Sequence, residues 1–232
     1  TGIGRHVMRA AAETLTPVTL ELGGKSPALI DASANINDVA GQIAAGKLFN
    51  AGQTCIAPDY VLLPKGQIDA FTRAYKATVH KLYPTLAKNP DYTALINVQQ
   101  YDRLTGWLAQ AAAAGAKVHA INPAGEKLLP AGRKIAPTLV FNVSDDTPLG
   151  REEIFGPILL VIGYDSLDEA IRHVNARPRP LALYVFSKSE AAIDKVLHST
   201  IAGGVTVNGT LLHYAQDDLP FGGVGASGIG AY

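Results

Sequence analysis

The chain has one cysteine, one methionine and one tryptophan in 232 residues. A lone cysteine cannot close an internal disulfide, which excludes a stapled secreted scaffold and leads us to expect a reducing, cytoplasmic setting. Charge of one sign is missing as well. Twenty Lys and Arg balance twenty Asp and Glu, so no bulk field draws the chain to nucleic acid or to an anionic membrane surface. No window approaches the roughly eighteen uninterrupted apolar residues of a membrane span. The start, Thr1-Gly2-Ile3-Gly4-Arg5-His6, lacks the basic-then-apolar order of a secretory signal. Repeats and low-complexity tracts are also absent. A chain so constituted is suited to a small-molecule substrate.

Strand-like runs at Val18–Leu22, Ala28–Ile30, Tyr60–Leu63, Ile158–Ile162, Leu181–Phe186 and Gly204–Val207 alternate with helical stretches, the signature of an α/β architecture. Ile36, Val39, Ala40, Ile43, Ala44 and Leu48 recur at three- and four-residue steps and lay one apolar stripe on a helix, with Asn35 as its N-cap. Similar stretches run over Gln67–Leu82, Val98–Ala114, Leu167–Asn175 and Glu190–Leu197, with Gly115 as a stop. An apolar helix over Val7–Leu15 begins almost at once and the chain stops inside a glycine-rich turn. The sequence is therefore expected to be part of a longer one.

Four segments carry chemistry. In Glu21-Leu22-Gly23-Gly24-Lys25-Ser26-Pro27 a carboxylate closes a strand and a double glycine turns the chain, projecting the acid into a crevice or, as this stretch taken alone favours, into solvent. Phe49-Asn50-Ala51-Gly52-Gln53-Thr54-Cys55 places the only thiol at the end of a small, polar loop. An isolated cysteine is more often an inert buried residue, but this loop supplies backbone N–H groups instead of an apolar wall. In Arg151-Glu152-Glu153-Ile154-Phe155-Gly156-Pro157 a carboxylate can grip two ribose hydroxyls and Phe155 can pack beside a nicotinamide ring, or the acids are solvated and the Phe is core. The run Leu219–Gly230 is too glycine-dense for a helix or strand interior. Its Gly223-Val224-Gly225-Ala226-Ser227-Gly228 matches the dinucleotide pattern G-x-G-x-x-G, yet has no preceding strand and no room for a following helix, so the match is read as accidental.

The first two segments make sense together. A thiolate attacks a carbonyl, and the thiohemiacetal oxyanion needs N–H donors, of which the Cys55 N–H is one candidate. Loss of hydride to a nicotinamide leaves a thioester, which water must hydrolyse with help from a carboxylate base, and Glu21 is the candidate.

In this order the segments resemble the aldehyde dehydrogenase superfamily across essentially the whole chain. E-L-G-G-K-S-P is similar to its general-base segment, G-Q-T-C to its nucleophile segment, E-E-I-F-G-P to its cofactor-gripping segment, and P-F-G-G followed by S-G-x-G to its late glycine-rich segment. The resemblance implies an open, mostly parallel sheet flanked by helices, with Cys55 as nucleophile, Glu21 activating the hydrolytic water, and Glu153 and Phe155 contacting ribose and nicotinamide. Gly4 matches the glycine of a cofactor-binding helix, and Thr1 falls just after the part of that motif absent here. The implied cofactor is NAD, with NADP as the other possibility, and the implied assembly of the longer enzyme is a homodimer. The implied division is residues 1–22 as the end of the NAD-binding domain, 23–215 as the catalytic domain, and 216–232 as a segment returning toward the NAD-binding and oligomerisation region.

Cys55-Ile56-Ala57-Pro58-Asp59-Tyr60, Asn89-Pro90-Asp91-Tyr92, Arg179-Pro180-Leu181-Ala182-Leu183-Tyr184-Val185-Phe186 and His213 with Asp217–Gly225 look like the class 3 and coniferyl aldehyde branch. That branch implies oxidation of an aromatic, unsaturated aldehyde to its acid. The family's first half, with most of the dinucleotide fold and an asparagine of the oxyanion hole, has no counterpart here, so this stretch alone is expected to show little or no turnover. Two rivals stay open: a CoA-acylating or phosphorylating relative, and a catalytically silent binding or structural piece. No metal is assigned, because His6, His80, His119, His173 and His198 lack ligand spacing. Trp107 is read as a packed helix residue, and His213 and Tyr214 are candidates for an aldehyde entrance.

Overall fold

Strands buried on both faces form the centre of a parallel sheet. In the computed structural model, which describes residues 2–232, these are the Ser26–Ile30 and Ala182–Phe186 segments, buried at every position. Thr1 lies outside the described residues, and with it the reading placed on it. In chain order the elements are α1 (Gly2–Thr14), β1 (Leu20–Glu21), β2 (Ser26–Ile30), α2 (Ile36–Leu48), β3 (Pro58–Pro64), α3 (Ile68–Leu82), α4 (Val98–Ala113), β4 (Lys117–Ala120), β5 (Thr138–Phe141), α5 (Pro148–Arg151), β6 (Ile158–Tyr164), α6 (Leu167–Asn175), β7 (Ala182–Phe186), α7 (Glu190–Ser199), β8 (Gly204–Val207) and β9 (Gly228–Ile229).

Seven strands order as β4-β5-β6-β3-β2-β7-β8, parallel throughout except for the antiparallel β4/β5 pair. The expected open, mostly parallel sheet with flanking helices is thus observed. Strand alternation divides the core in two. Ala28, Ile30, Val61, Leu63, Tyr184 and Phe186 face α2 and α3, while Leu29, Tyr60, Leu62, Leu183 and Val185 face α4, α6 and α7. Local chemistry sets the helix starts: the side chains of Asn35, Asn97, Ser166 and Ser189 each accept a backbone N–H of the first turn.

Several expectations need correction. Helix α1 begins at Gly2, ahead of Val7. The Val18–Leu22 run contributes only β1, which leaves the main sheet to pair antiparallel with β9. Strand β9 forms inside the glycine-rich run that was expected to hold no strand, because Gly228, at φ 158°, meets the Leu20 carbonyl so closely that no side chain fits. Within the G-x-G-x-x-G match, Gly225 bridges Gly228, which opens β9. Strands β4 and β5 had no counterpart in the sequence reading. Among the described residues, no helix is long and apolar enough to cross a membrane.

The crossovers put the segments of interest at one edge. The loops entering β2, β3 and β6 all lie where these parallel strands begin, opposite to the carboxyl-end crevice where open α/β sheets usually bind ligands.

Candidate functional site

The thiol sits on a tight turn. Ala57 N–H donates to the Thr54 carbonyl at 3.0 Å, so Cys55 and Ile56 occupy the turn's middle, with Ile56 anchored in the core at 2% exposure. Upstream, Asn50, Ala51 and Gly52 run consecutively with φ 49°, 53° and 74°. Two of them are not glycine, so the backbone stores strain of about 1–3 kcal/mol each, of the kind that persists only where surrounding structure overrides it. The overriding contact is visible: any side chain at Gly52 would collide with the Gly156 carbonyl. The nucleophile segment and the Glu153–Gly156 segment are thereby packed backbone to backbone.

Gly23, at φ 74°, plays the matching part on the other side. A Cβ there would lie 2.7 Å from a Glu153 carboxylate oxygen, and the Gly24 N–H hydrogen-bonds that carboxylate. Phe155, at φ 51°, is turned outward and 39% exposed, an aromatic surface free to receive a flat ring. A cleft of about 440 Å³ results, lined by Glu21, Leu22, Gly23, Gln53, Thr54, Cys55, Glu153 and Phe155. Four of the five sequence-derived site residues meet in it. Gly4 does not. It is buried in α1, where a side chain would run into Leu22, so its absent Cβ lets the helix approach the strand that carries Glu21. A larger cavity of about 580 Å³ shares Leu22, Gly23 and Glu153 and extends past Arg151, Arg177 and Arg179. Cys55 and Glu21 line the smaller cleft and not this one.

Burial sets the charge states. It is the main cause pushing the Cys55 thiol up to about 12, reinforced by the charge of Glu21, which also hydrogen-bonds the sulfur, and by the charge of Glu153. At neutral pH the sulfur therefore rests as a thiol beside the Glu21 side chain. Burial also lifts Glu153 to about 7, against the Gly24 hydrogen bond and the charge of Lys47. Lys47, 1% exposed at the end of α2, is brought down to about 8 by the same desolvation, which Asp59 opposes.

Beneath the cleft lies a charged node that the sequence reading passed over. Lys25 Nζ is 2.5 Å from Asp59 Oδ1, both side chains nearly buried, and it donates to the carbonyls of Leu149 (3.1 Å) and Glu152 (2.8 Å). Asp59 Oδ2 accepts the Ile154 N–H at 2.8 Å. From the far side Arg103 donates to the Ile154 carbonyl at 2.7 Å and stacks over Trp107 at 4.3 Å. The backbone presenting Glu153 and Phe155 is thus held by three charged groups from three elements. One signal was available: Lys25 and Asp59 stand four residues beyond Glu21 and Cys55, at the entrances of β2 and β3, where a solvated charge is out of place.

His213 and Tyr214 do not line the cleft. His213 is buried, with Nδ1 2.8 Å from Thr206 Oγ1, and stacks on Phe221, whereas Tyr214 meets Phe221 edge-on and is exposed.

The pattern of the Aldehyde dehydrogenase family matches residues 1–232. The chain is 51% identical over 233 residues to coniferyl aldehyde dehydrogenase of a Pseudomonas species, covering 100% of this chain and 48% of that protein. Among solved structures, the substrate-bound state of Staphylococcus aureus AldH superposes with a TM-score of 0.92 at 43% identity, over 100% of this chain and 49% of that one. Staphylococcus aureus betaine aldehyde dehydrogenase in complex with NAD+ superposes with a TM-score of 0.86 at 30% identity, over 99% and 46%. The chain spans about half the length of the relatives it matches.

Proposed function

Because the chain belongs to the aldehyde dehydrogenase family, we propose that its cleft is the reacting end of an enzyme that oxidises an aldehyde to the carboxylic acid, with Cys55 as nucleophile and Glu21 as base. The observation that carries this reading is the meeting of Cys55, Glu21, Glu153 and Phe155 in one cleft, with the Glu21 side chain facing the thiol. Cys55 Sγ bonds to the aldehyde carbon as its proton passes to Glu21, and the Cys55 N–H donates to the resulting oxyanion. A bound nicotinamide dinucleotide, NAD or NADP, would accept hydride from that carbon, leaving a thioester. Glu21 releases the thiol proton to solvent and, again a carboxylate, takes a proton from the attacking water; that proton passes to the departing sulfur, so the acid leaves as the thiol re-forms.

The residues present fit such a cofactor at its nicotinamide end: Glu153 borders the cleft as an acceptor for two ribose hydroxyls, and Phe155 offers an aromatic face beside it. The likeness to coniferyl aldehyde dehydrogenase supports an aromatic, unsaturated aldehyde. Residues 23–215 would form the catalytic domain, and the two ends, joined through β1 and β9, would belong with the dinucleotide-binding side. This chain alone would bind aldehyde covalently without sustained turnover.

The test is deacylation. Cys55 is acylated with a p-nitrophenyl ester and release of the acid is followed by protein mass. Glu21→Gln is expected to slow release by about a hundredfold or more. Release at the unmodified rate would remove Glu21 from the mechanism.

A further inference from the structure

Four of the non-glycine residues at positive φ, Asn50, Ala51, Phe155 and Leu211, surround the nucleophile turn or pack beside it. The first three are held by the Gly52–Gly156 contact and the charged node. Leu211, at φ 65°, lies in the loop after β8 and is held by neither. What it shares with Cys55 is a side of the core, since both pack against the cluster containing Tyr184.

Tyr184 bridges them. Its ring is fully buried in β7, its hydroxyl donates to the Ile56 carbonyl at 2.5 Å, and the Leu211 N–H is directed at the same hydroxyl. One oxygen thus satisfies a carbonyl of the Thr54–Ala57 turn and faces an amide of a strained loop. Beyond it, the His213 ring lies 6.1 Å from Tyr184 and 6.0 Å from Phe221. The loop is therefore seated on the same aromatic stack.

We propose that Tyr184 is a positioning residue for Cys55, tying the nucleophile turn to the Leu211 loop so that the thiol is held against Glu21. The proposal rests on the reading of Cys55 as the nucleophile. Removing the hydroxyl while keeping the ring frees the Ile56 carbonyl and the Leu211 N–H, and two strained segments lose their common anchor. Cys55 is faced by Glu21 from β1, Glu153 from the segment after α5, Tyr184 from β7 and Tyr232 at position 232. A turn released from Tyr184 lets the sulfur leave the two carboxylates for solvent.

The test compares Tyr184→Phe with Tyr164→Phe. Tyr164 makes a bond of the same kind, hydroxyl to the Ile30 carbonyl at 2.7 Å, but at the opposite edge of the sheet. Cys55 alkylation by iodoacetamide is followed against pH, and urea unfolding confirms that both variants are folded. Tyr184→Phe is expected to lower the alkylation midpoint by at least one pH unit and to speed amide exchange at Ala57 and Leu211 at least tenfold. Tyr164→Phe is expected to leave both unchanged. A Tyr184→Phe profile that superimposes on the unmodified chain, or an equal shift in Tyr164→Phe, overturns the proposal. The deacylation test of Glu21→Gln leaves Tyr184 in place, so the failure of either reading is seen separately.

Discussion

Glu153→Gln should make this chain more stable above neutral pH and leave it unchanged in acid. Burial lifts the Glu153 carboxyl from its ordinary 4.5 to about 7, so between those values the folded chain binds more protons than the unfolded one. Stability falls as pH rises through that window. A displacement of two to three units corresponds to about 3 kcal/mol at full ionisation. The glutamine carbonyl still accepts the Gly24 N–H, but Lys47 loses a neighbouring negative charge. We therefore expect a net gain of about 1–2 kcal/mol at pH 8, fading to nothing at pH 4.5. Urea unfolding of both proteins at the two pH values, at fixed ionic strength, measures this. A difference that is the same at both pH values, or a loss at pH 8, would refute the desolvation argument. Confirmed, the result identifies Glu153 as a carboxylate kept at a cost to the fold, as expected of a group retained to bind something.

Three further outcomes follow from the geometry. Lys25→Met strands Asp59 without its cation and should cost about 3 kcal/mol, whereas adding Asp59→Asn should restore part of that loss. A double-mutant cycle by urea unfolding showing no coupling would contradict the node. Gly52→Ala must hold a left-handed backbone and displace the Gly156 carbonyl, at about 2–4 kcal/mol, and a loss under about 1 kcal/mol in the same assay would show the two segments to be less closely joined. Cys55→Ala should flatten stability between pH 9 and 12, because a thiol raised from 9.0 to about 12 lets the unfolded chain ionise first, so the unmodified fold weakens as pH rises. Equal pH slopes in chemical denaturation would refute that burial effect.

Much of the fold was legible because its determinants are local. Asn35 caps α2 as expected, α6 spans Leu167–Asn175 as expected, and Gly115, at φ 95°, follows α4 where a stop was expected. Strand β4 escaped because all four of its residues are exposed. Only pairing with β5 makes it a strand, and that partner lies eighteen or more residues away. For the site, Glu21, Cys55, Glu153 and Phe155 were each ambiguous alone and became readable as an ordered set. Lys25 and Asp59 left only the faint signal of their matched places at two strand entrances, and Arg103 left none, since a charged side chain is solvated by default and only the fold shows these turned inward. Tyr184 was hidden differently: its ring reads as core, and no pattern reveals that its hydroxyl serves two loops.

Because the cleft opens where the parallel strands begin, the α2 end that leads into it is a C-terminus, with Phe49 and the strained residues following directly. Helix carbonyls, not helix amides, point that way, and they add a negative field without any additional acid. Such a site is poor at gathering anions, unlike the helix N-termini that cradle phosphates. It favours the neutral thiol of Cys55 over its thiolate. The fold's own dipoles thus act as a restraint on that sulfur, independent of any side chain.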